Sequence, residues 1–127
     1  MELEVRTEET KAGVITVKPK GTVNSDTCNI LDKAISNTLS KSIKTLVIDM
    51  SEVKFISSAG VGVIIKTKAT SAKYGADFAM TNLQPQVKKV FEIIGLLPAL
   101  NVFESTEELD EYLEKIQHAI IDGDLEL

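Results

Sequence analysis

The pattern of hydrophobic and polar positions divides the chain into strands and helices. Two segments near its start, Leu3–Thr7 and Val14–Lys18, have the spacing of strands, and Lys11–Gly13 between them provides a turn. We therefore predict an opening antiparallel hairpin. A later segment, Thr45–Ile48, is a short apolar run ended by Asp49, which is typical of a strand buried on both faces of a sheet.

Four other segments have apolar residues at helical spacings of three and four. The first helix is capped by Asn24, Ser25 or Asp26 and ends near Ser42, and the second is capped by Ser57 or Ser58 and ends at Gly75. The third is opened by Asn82 or Gln84, has Pro85 in its first turn and ends at Gly95. The fourth, the terminal helix, starts with the capping box Ser105–Glu108. Further strands are predicted over 76–81 and 101–103, and 50–55 is predicted to be a linker.

Helices and strands alternate after the hairpin, and crossovers between parallel strands are right-handed. The sequence therefore predicts an α/β fold with a mixed, mostly parallel sheet of about five strands and about four helices. The hairpin is expected at one side of this sheet.

A single domain is expected over residues 1–120, because no internal repeat or linker divides the chain and 127 residues are an ordinary length for one domain. The content of 43% hydrophobic and 26% charged residues is typical of a packed, soluble protein. Acidic residues are concentrated after position 103, where there are nine of them and one lysine. We interpret residues 121–127 as an acidic tail.

Composition excludes several classes of function. A net charge of -5 argues against general binding of nucleic acid, which depends on clustered lysine and arginine. Cys28 is the only cysteine, so the chain cannot form an internal disulfide or a cysteine zinc cluster, which fits a reducing cytoplasm. The longest apolar stretch, Ala59–Ile65, is too short to span a membrane, and Met1–Glu9 lacks the apolar core of an export signal. We expect a cytoplasmic protein that binds neither nucleic acid nor membrane.

Motifs for catalysis and for cofactors are incomplete. A nucleophile elbow around Ser58 would need a glycine where Ile56 stands, and the sole histidine, His118, is predicted on the surface of the terminal helix. Gly60–Gly62 lacks the rest of a phosphate-binding loop. The dense carboxylates of 107–111 are placed to complement a helix dipole rather than to bind a metal. The sequence thus predicts no catalytic residue, no metal site and no cofactor.

The segment Phe55–Val63 has an unusual composition, because two serines are followed by three small residues in four positions. A glycine inside a helix costs up to about 1 kcal/mol relative to alanine. Two interpretations remain open and are compatible: close packing of a helix on the sheet, and an open surface where another protein reaches a serine hydroxyl.

In this segment the sequence resembles the STAS domains, and among them the bacterial anti-sigma factor antagonists that are switched by serine phosphorylation. The family typically has aspartate, serine, serine or threonine, glycine, leucine and glycine where this chain has Ser57–Gly62. Further matches, over nearly the whole chain, are Gly21–Asn24 with Thr27, and Pro85–Phe91 running to Gly95 and Leu96. Asn24 and Ser57 replace aspartates that are usual in the family.

The resemblance implies that Ser58 is the phosphoacceptor, with Ser57 as the alternative. It implies a protein that is not an enzyme, is a monomer or weak dimer, and regulates transcription through two partners: an anti-sigma factor that is also a serine kinase, and a serine phosphatase. Because sites in open sheets lie at the carboxyl ends of strands, we expect the partner-binding surface to comprise Asn24, Ser25, Ser57, Ser58 and Gly60.

Two alternatives remain. A STAS module could serve another signalling or lipid-transport complex without being phosphorylated. A hydrolase that uses Ser58 as nucleophile is disfavoured, because no positioned base is evident in the sequence.

Overall fold

The computed structural model describes residues 3–39, 42–97 and 100–122, and side chains as far as Lys115. Its elements follow one another as β1 (Leu3–Lys11), β2 (Val14–Val23), α1 (Cys28–Thr38), β3 (Thr45–Asp49), β4 (Glu52–Ile56), α2 (Ser58–Lys73), β5 (Asp77–Thr81), α3 (Pro85–Ile94), β6 (Val102–Phe103) and α4 (Thr106–Asp122). The predicted fold class, with its opening hairpin and four helices, is confirmed.

The strands of the described residues form one six-stranded sheet in the order β1-β2-β3-β5-β6, with β4 joined to β2. Strands β1 and β2 are antiparallel, and every other pairing is parallel. Strand β2 is long enough to pair with two strands along the same edge, since Val14–Val17 pairs with β3 and Lys20–Val23 pairs with β4. The hairpin therefore supplies the strand that fixes the position of β4.

The prediction of a linker over 50–55 is wrong, because strand β4 occupies most of this segment. Gly21 pairs with Val53 and Thr22 pairs with Phe55, so Lys54 is an extra residue that forms a bulge. Because of the bulge, Val53 and Ile56 are both buried although they are three positions apart.

The outer edge of β4 is covered by side chains from the start of α3. Gln84 Nε2 donates to the carbonyl oxygen of Ser51 at 2.8 Å, and Gln86 Nε2 donates to that of Lys54 at 2.9 Å. These bonds satisfy carbonyl groups that an exposed strand edge leaves without a strand partner.

The core lies mainly between one face of the sheet and helices α1, α2 and α3. Leu46 and Ile48 of β3 point to this face, and Val47 points to the opposite face. There Val47 packs with Ala79 and Leu109 under α4, which contacts β5 and β6. The buried run of β3 thus has both faces covered, as its sequence predicts.

Helix α4 continues to Asp122. The rest of the predicted tail, 123–127, and the side chain of His118 lie outside what the structure describes. The boundary of the domain at residue 120 and the surface position of His118 stay predictions.

Candidate functional site

Two loops that were predicted to share a surface are held side by side by the pairing of β2 with β4. Val23 and Ile56, the last residues of these strands, are register partners. The next peptide group extends the pairing, because Ser57 N–H donates to the carbonyl oxygen of Val23 at 2.8 Å. The loop that follows β2 and the start of α2 therefore lie together at the carboxyl edge of the sheet.

The loop after β2 is organised by Asn24 and Thr27. Asn24 Oδ1 accepts the backbone N–H groups of Asp26, at 2.9 Å, and of Thr27, at 3.1 Å. Thr27 Oγ1 accepts the N–H of Asn24 at 2.9 Å and donates to the carbonyl oxygen of Thr22 at 2.7 Å. Thr27 is buried, and Ser25 is exposed at the tip of the loop. An amide oxygen thus holds the loop closed at the position where the family usually has a carboxylate.

Helix α1 begins later than its predicted caps. Thr27, rather than Asn24, Ser25 or Asp26, occupies the position before the first helical residue, and its side chain makes no capping bond. Its hydroxyl is engaged with Asn24 and Thr22, and its backbone has helical angles rather than the extended angles of a capping residue.

Ser57 is the cap of α2. It has extended backbone angles, and its Oγ accepts the N–H of Gly60 at 3.4 Å, which is a long bond. The side chain is half-buried. Of the two serines that sequence alone allowed as the cap, the structure selects Ser57.

Ser58 is the first residue of α2 and is exposed. Among the residues that the structure describes, its hydroxyl has no hydrogen-bonding partner. The first turn of α2 contains no acidic residue. Free backbone N–H groups and the helix dipole at this end favour a negative charge. Ser58 is thus accessible, has no structural task and lies in a local field suited to an anion.

The two glycines of α2 have different surroundings. A Cβ atom on Gly60 would lie 2.6 Å from Cγ1 of Ile56 and 2.8 Å from Cγ1 of Val23, so only glycine lets the helix lie this close to the sheet. A Cβ atom on Gly62 would meet nothing within 4 Å. Close packing therefore explains Gly60 and does not explain Gly62. Since Gly60 is buried, its part in the predicted surface is to set the position of α2, and direct contact with a partner is left to its neighbours.

Other kinds of site are not evident in the part of the chain that the structure describes. No group of three or more His, Cys, Asp or Glu residues there could hold a metal ion. No described helix has the length and apolar character to cross a membrane. A cavity of about 290 Å³ lies on the α4 side of the sheet, where its lining includes Val47, Thr81 and Leu109 but neither serine.

The fold and these loops define a class: a small α/β domain with a hairpin-opened mixed sheet and an exposed serine at a helix start on the carboxyl edge of its strands. The family model of the STAS domain matches residues 6–109. The chain belongs to the STAS domain family, and the predicted resemblance is confirmed.

Proteins similar to this chain include some that are named as anti-sigma factor antagonists. BtrV of Bordetella bronchiseptica, whose name describes such a protein, is 28% identical over 95 residues, which are 75% of this chain and 82% of BtrV. The crystal structure of an anti-sigma factor antagonist from Mycobacterium paratuberculosis has a TM-score of 0.77 at 23% identity, covering 91% of this chain and 95% of that one. The Bacillus cell fate determinant SpoIIAA in its phosphorylated form has a TM-score of 0.64 at 18% identity, covering 86% and 99%. The last two likenesses are of fold.

Proposed function

We propose that the protein is an anti-sigma factor antagonist that binds an anti-sigma factor with serine kinase activity and is switched off by phosphorylation of Ser58. The observation that carries the proposal is the difference between two adjacent serines. Ser57 closes the start of α2, whereas Ser58 is exposed and unengaged among the described residues. A kinase can therefore reach the Ser58 hydroxyl without disturbing the cap of the helix.

The partner binds, in this proposal, across the paired loops. Ser25 and Ser58 are the exposed hydroxyls of this surface, and Asn24 and Ser57 fix the backbones that carry them. Both loops are tied to neighbouring strands that end in register, so the surface is preformed. A preformed surface avoids the entropic cost of ordering loops on binding.

Phosphorylation works on the interface rather than on the fold. The kinase transfers the γ-phosphoryl group of ATP to Ser58 Oγ, the hydroxyl proton is released, and ADP leaves. The new group carries about -1.5 to -2 charges at pH 7. The start of α2 tolerates that charge, but a partner surface shaped for a hydroxyl must then desolvate an anion. A loss of only about 2.8 kcal/mol in binding free energy weakens binding a hundredfold.

In the unmodified form the antagonist sequesters the anti-sigma factor and frees a sigma factor for transcription. A serine phosphatase restores that form. The named function of the relative BtrV supports this assignment, and SpoIIAA, solved in a phosphorylated form, supports the tolerance of the fold for a phosphoryl group. The protein needs no catalytic residue or cofactor of its own for this role.

The test is to incubate the purified chain with ATP and each candidate serine kinase of its organism, and to map the phosphopeptide. Two variants separate the serines: Ser58→Ala removes the proposed acceptor, and Ser57→Asn removes the neighbouring hydroxyl while keeping an amide oxygen that can cap α2. We expect Ser58→Ala to abolish incorporation and Ser57→Asn to retain it. Incorporation that persists in Ser58→Ala would move the acceptor to Ser57 or elsewhere.

The absence of both phosphorylation and binding across the whole kinase panel would overturn the proposal. It would favour the alternative, a STAS interaction module of another signalling or transport complex.

A further inference from the structure

Helix α2 carries polar residues on its buried side, beside the core residues Val61 and Ile64. Thr67 and Ser71 on its buried side are 2% and 0% exposed. Their hydroxyls donate to carbonyl oxygens one turn earlier, those of Val63 at 2.7 Å and Thr67 at 2.8 Å, so burial leaves neither hydroxyl unsatisfied. The outer side of a surface helix ordinarily carries its charged residues. In α2 that side carries none along its centre.

We call this centre the outer stripe of α2. It consists of Ser58, Gly62, Ile65, Ala69 and Ala72, all of which are exposed. At 100° and 1.5 Å per residue, these positions fall within an arc of about 80° and extend over about 21 Å. Ile65 at its middle is 46% exposed. The stripe begins at Ser58 and is therefore continuous with the surface of the proposed function.

Gly62 adds a separate observation. A glycine at this position, on the exposed side of α2, costs up to about 1 kcal/mol relative to alanine, and nothing within 4 Å of its Cβ position requires a glycine. A partner that packs against the backbone at this point would give the missing reason for a residue without a side chain.

The charges beside the stripe indicate the chemistry of the partner. Helix α2 contains Lys66, Lys68 and Lys73 and no acidic residue. On the helix, Lys66 and Lys73 fall on one side of the stripe and Lys68 on the other. Lys66 also pairs with Asp32 of α1 at 3.0 Å. An uncharged strip with lysines on both sides is complementary to an apolar ridge with carboxylates beside it.

We propose that the anti-sigma factor packs an apolar segment bordered by carboxylates along the outer stripe of α2. This inference rests on the proposed function and adds the extent and chemistry of the contact. It also gives the phosphoryl group a second effect, because an anion on Ser58 would face an acidic partner and be repelled by it as well as fitting poorly.

The test compares two isoleucines of nearly equal exposure on different helices. Ile65 is 46% exposed on α2, and Ile94 is 48% exposed on α3. Binding of the full chain to the purified anti-sigma factor kinase that modifies Ser58 is measured by calorimetry, in the absence of ATP. We expect Ile65→Gln to weaken binding at least tenfold and the matched control Ile94→Gln to change it less than twofold, with equal thermal unfolding temperatures. A second stripe variant, Ala69→Arg, is expected to weaken binding similarly by steric exclusion.

The charges are tested by the salt dependence of the same dissociation constant. We expect affinity to fall as NaCl rises, and Lys73→Gln to reduce that dependence, whereas Lys89→Gln on α3 leaves it unchanged. The inference is overturned if both stripe variants bind within twofold of the wild type, if Ile94→Gln weakens binding as much as Ile65→Gln, or if salt has no effect. In those cases wild-type binding and phosphorylation would still stand, so the proposed function survives. If no kinase of the panel binds the wild-type chain, the proposed function itself fails and this inference fails with it.

Discussion

Gly60 lies against Val23 so closely that a Cβ atom would stand 2.8 Å from Cγ1 of Val23 and 3.0 Å from its carbonyl oxygen. The same carbonyl oxygen accepts the N–H of Ser57. One residue at the end of β2 thus fixes both the cap and the first turn of α2. The height of Ser58 above the sheet is a consequence of this contact.

Alanine at the two glycines of α2 is expected to have opposite effects on stability. Gly60→Ala forces α2 away from Val23 and should lower the free energy of unfolding by about 1–3 kcal/mol. Gly62→Ala meets open space and should raise it by about 0.5–1 kcal/mol, because alanine is the better helix former. Urea unfolding followed by circular dichroism measures both. Equal destabilisation by the two substitutions would contradict the packing described for Gly60.

Alanine substitutions at the two serines are expected to differ in their effect on the free energy of unfolding. Ser57→Ala removes the acceptor for the N–H of Gly60 and should lower the free energy of unfolding by about 0.5–1 kcal/mol. This is the lower part of the usual range for a lost cap, because the bond is long. Ser58→Ala removes an exposed hydroxyl and should change stability by less than about 0.5 kcal/mol. Ser57→Asp, which keeps a cap, is the control for the first change. A larger loss from Ser58→Ala than from Ser57→Ala would mean that the cap has been assigned to the wrong residue.

An acidic side chain at the start of α2 is expected to weaken partner binding without lowering the stability of the fold. Ser58→Asp places a carboxylate beside free N–H groups, so stability should be unchanged or higher by about 0.3–1 kcal/mol at low salt. Binding to the anti-sigma factor kinase should nevertheless weaken, because the carboxylate must be desolvated in the interface. Thermal unfolding and calorimetry report the two quantities on one sample. Unchanged affinity would show that the partner does not cover this position.

Thr27 is expected to be necessary for the loop after β2. Thr27→Val keeps the shape of the side chain but leaves the N–H of Asn24 and the carbonyl oxygen of Thr22 without the hydroxyl. Since the side chain is 2% exposed, we expect a loss of about 1–3 kcal/mol in the free energy of unfolding. Thr27→Ser, which keeps the hydroxyl, is the control and should recover much of that loss. A Thr27→Val variant with the same free energy of unfolding as the wild type would contradict the role given to these bonds.

A pH-dependent effect is expected at the contact between α3 and the start of α4. The hydrogen bond to the Glu104 carboxylate at 2.9 Å, together with its charge, raises the pKa of Lys88 above its ordinary value of 10.5. A raised pKa in the folded state means that the pair contributes at neutral pH and that its contribution is lost as pH rises through the folded-state value. Glu104→Gln should lower the pKa of Lys88, as measured by carbon chemical shifts of its side chain. The side chains of Lys88 and Glu104 are 36% and 72% exposed, so solvent screens the pair and the effect on stability is expected to be small.

Most of the fold could be predicted because its signals are local. Helical spacing placed α2, and Pro85 and Gly95 marked the two ends of α3. Strand β4 could not be found this way, because its bulge puts Val53 and Ile56 on the same side at a spacing that matches no simple alternation.

The candidate site was predictable in part. The sequence placed both loops at the carboxyl ends of strands, and that placement is correct. It could not decide between Ser57 and Ser58 as the cap, because both residues are serines and only the backbone angles separate them. It also could not show that Gly60 and Gly62 differ, since neighbouring atoms from β2 and β4 make that difference.

The bulge at Lys54 keeps Ile56 opposite Val23 and thereby sets where α2 begins with Ser58. If the same residues followed regular alternation without a bulge, either Val53 or Ile56 would turn towards solvent, and Phe55 rather than Ile56 would lie opposite Val23. Loss of the bulge would thus shift the start of α2 by one residue relative to Asn24, whereas deletion of Lys54 itself would leave Val53 and Ile56 two positions apart and on the same face. The pairing of Ile56 with Val23, more than the number of residues in β4, is what a homologous protein must keep in order to present its serine in the same place.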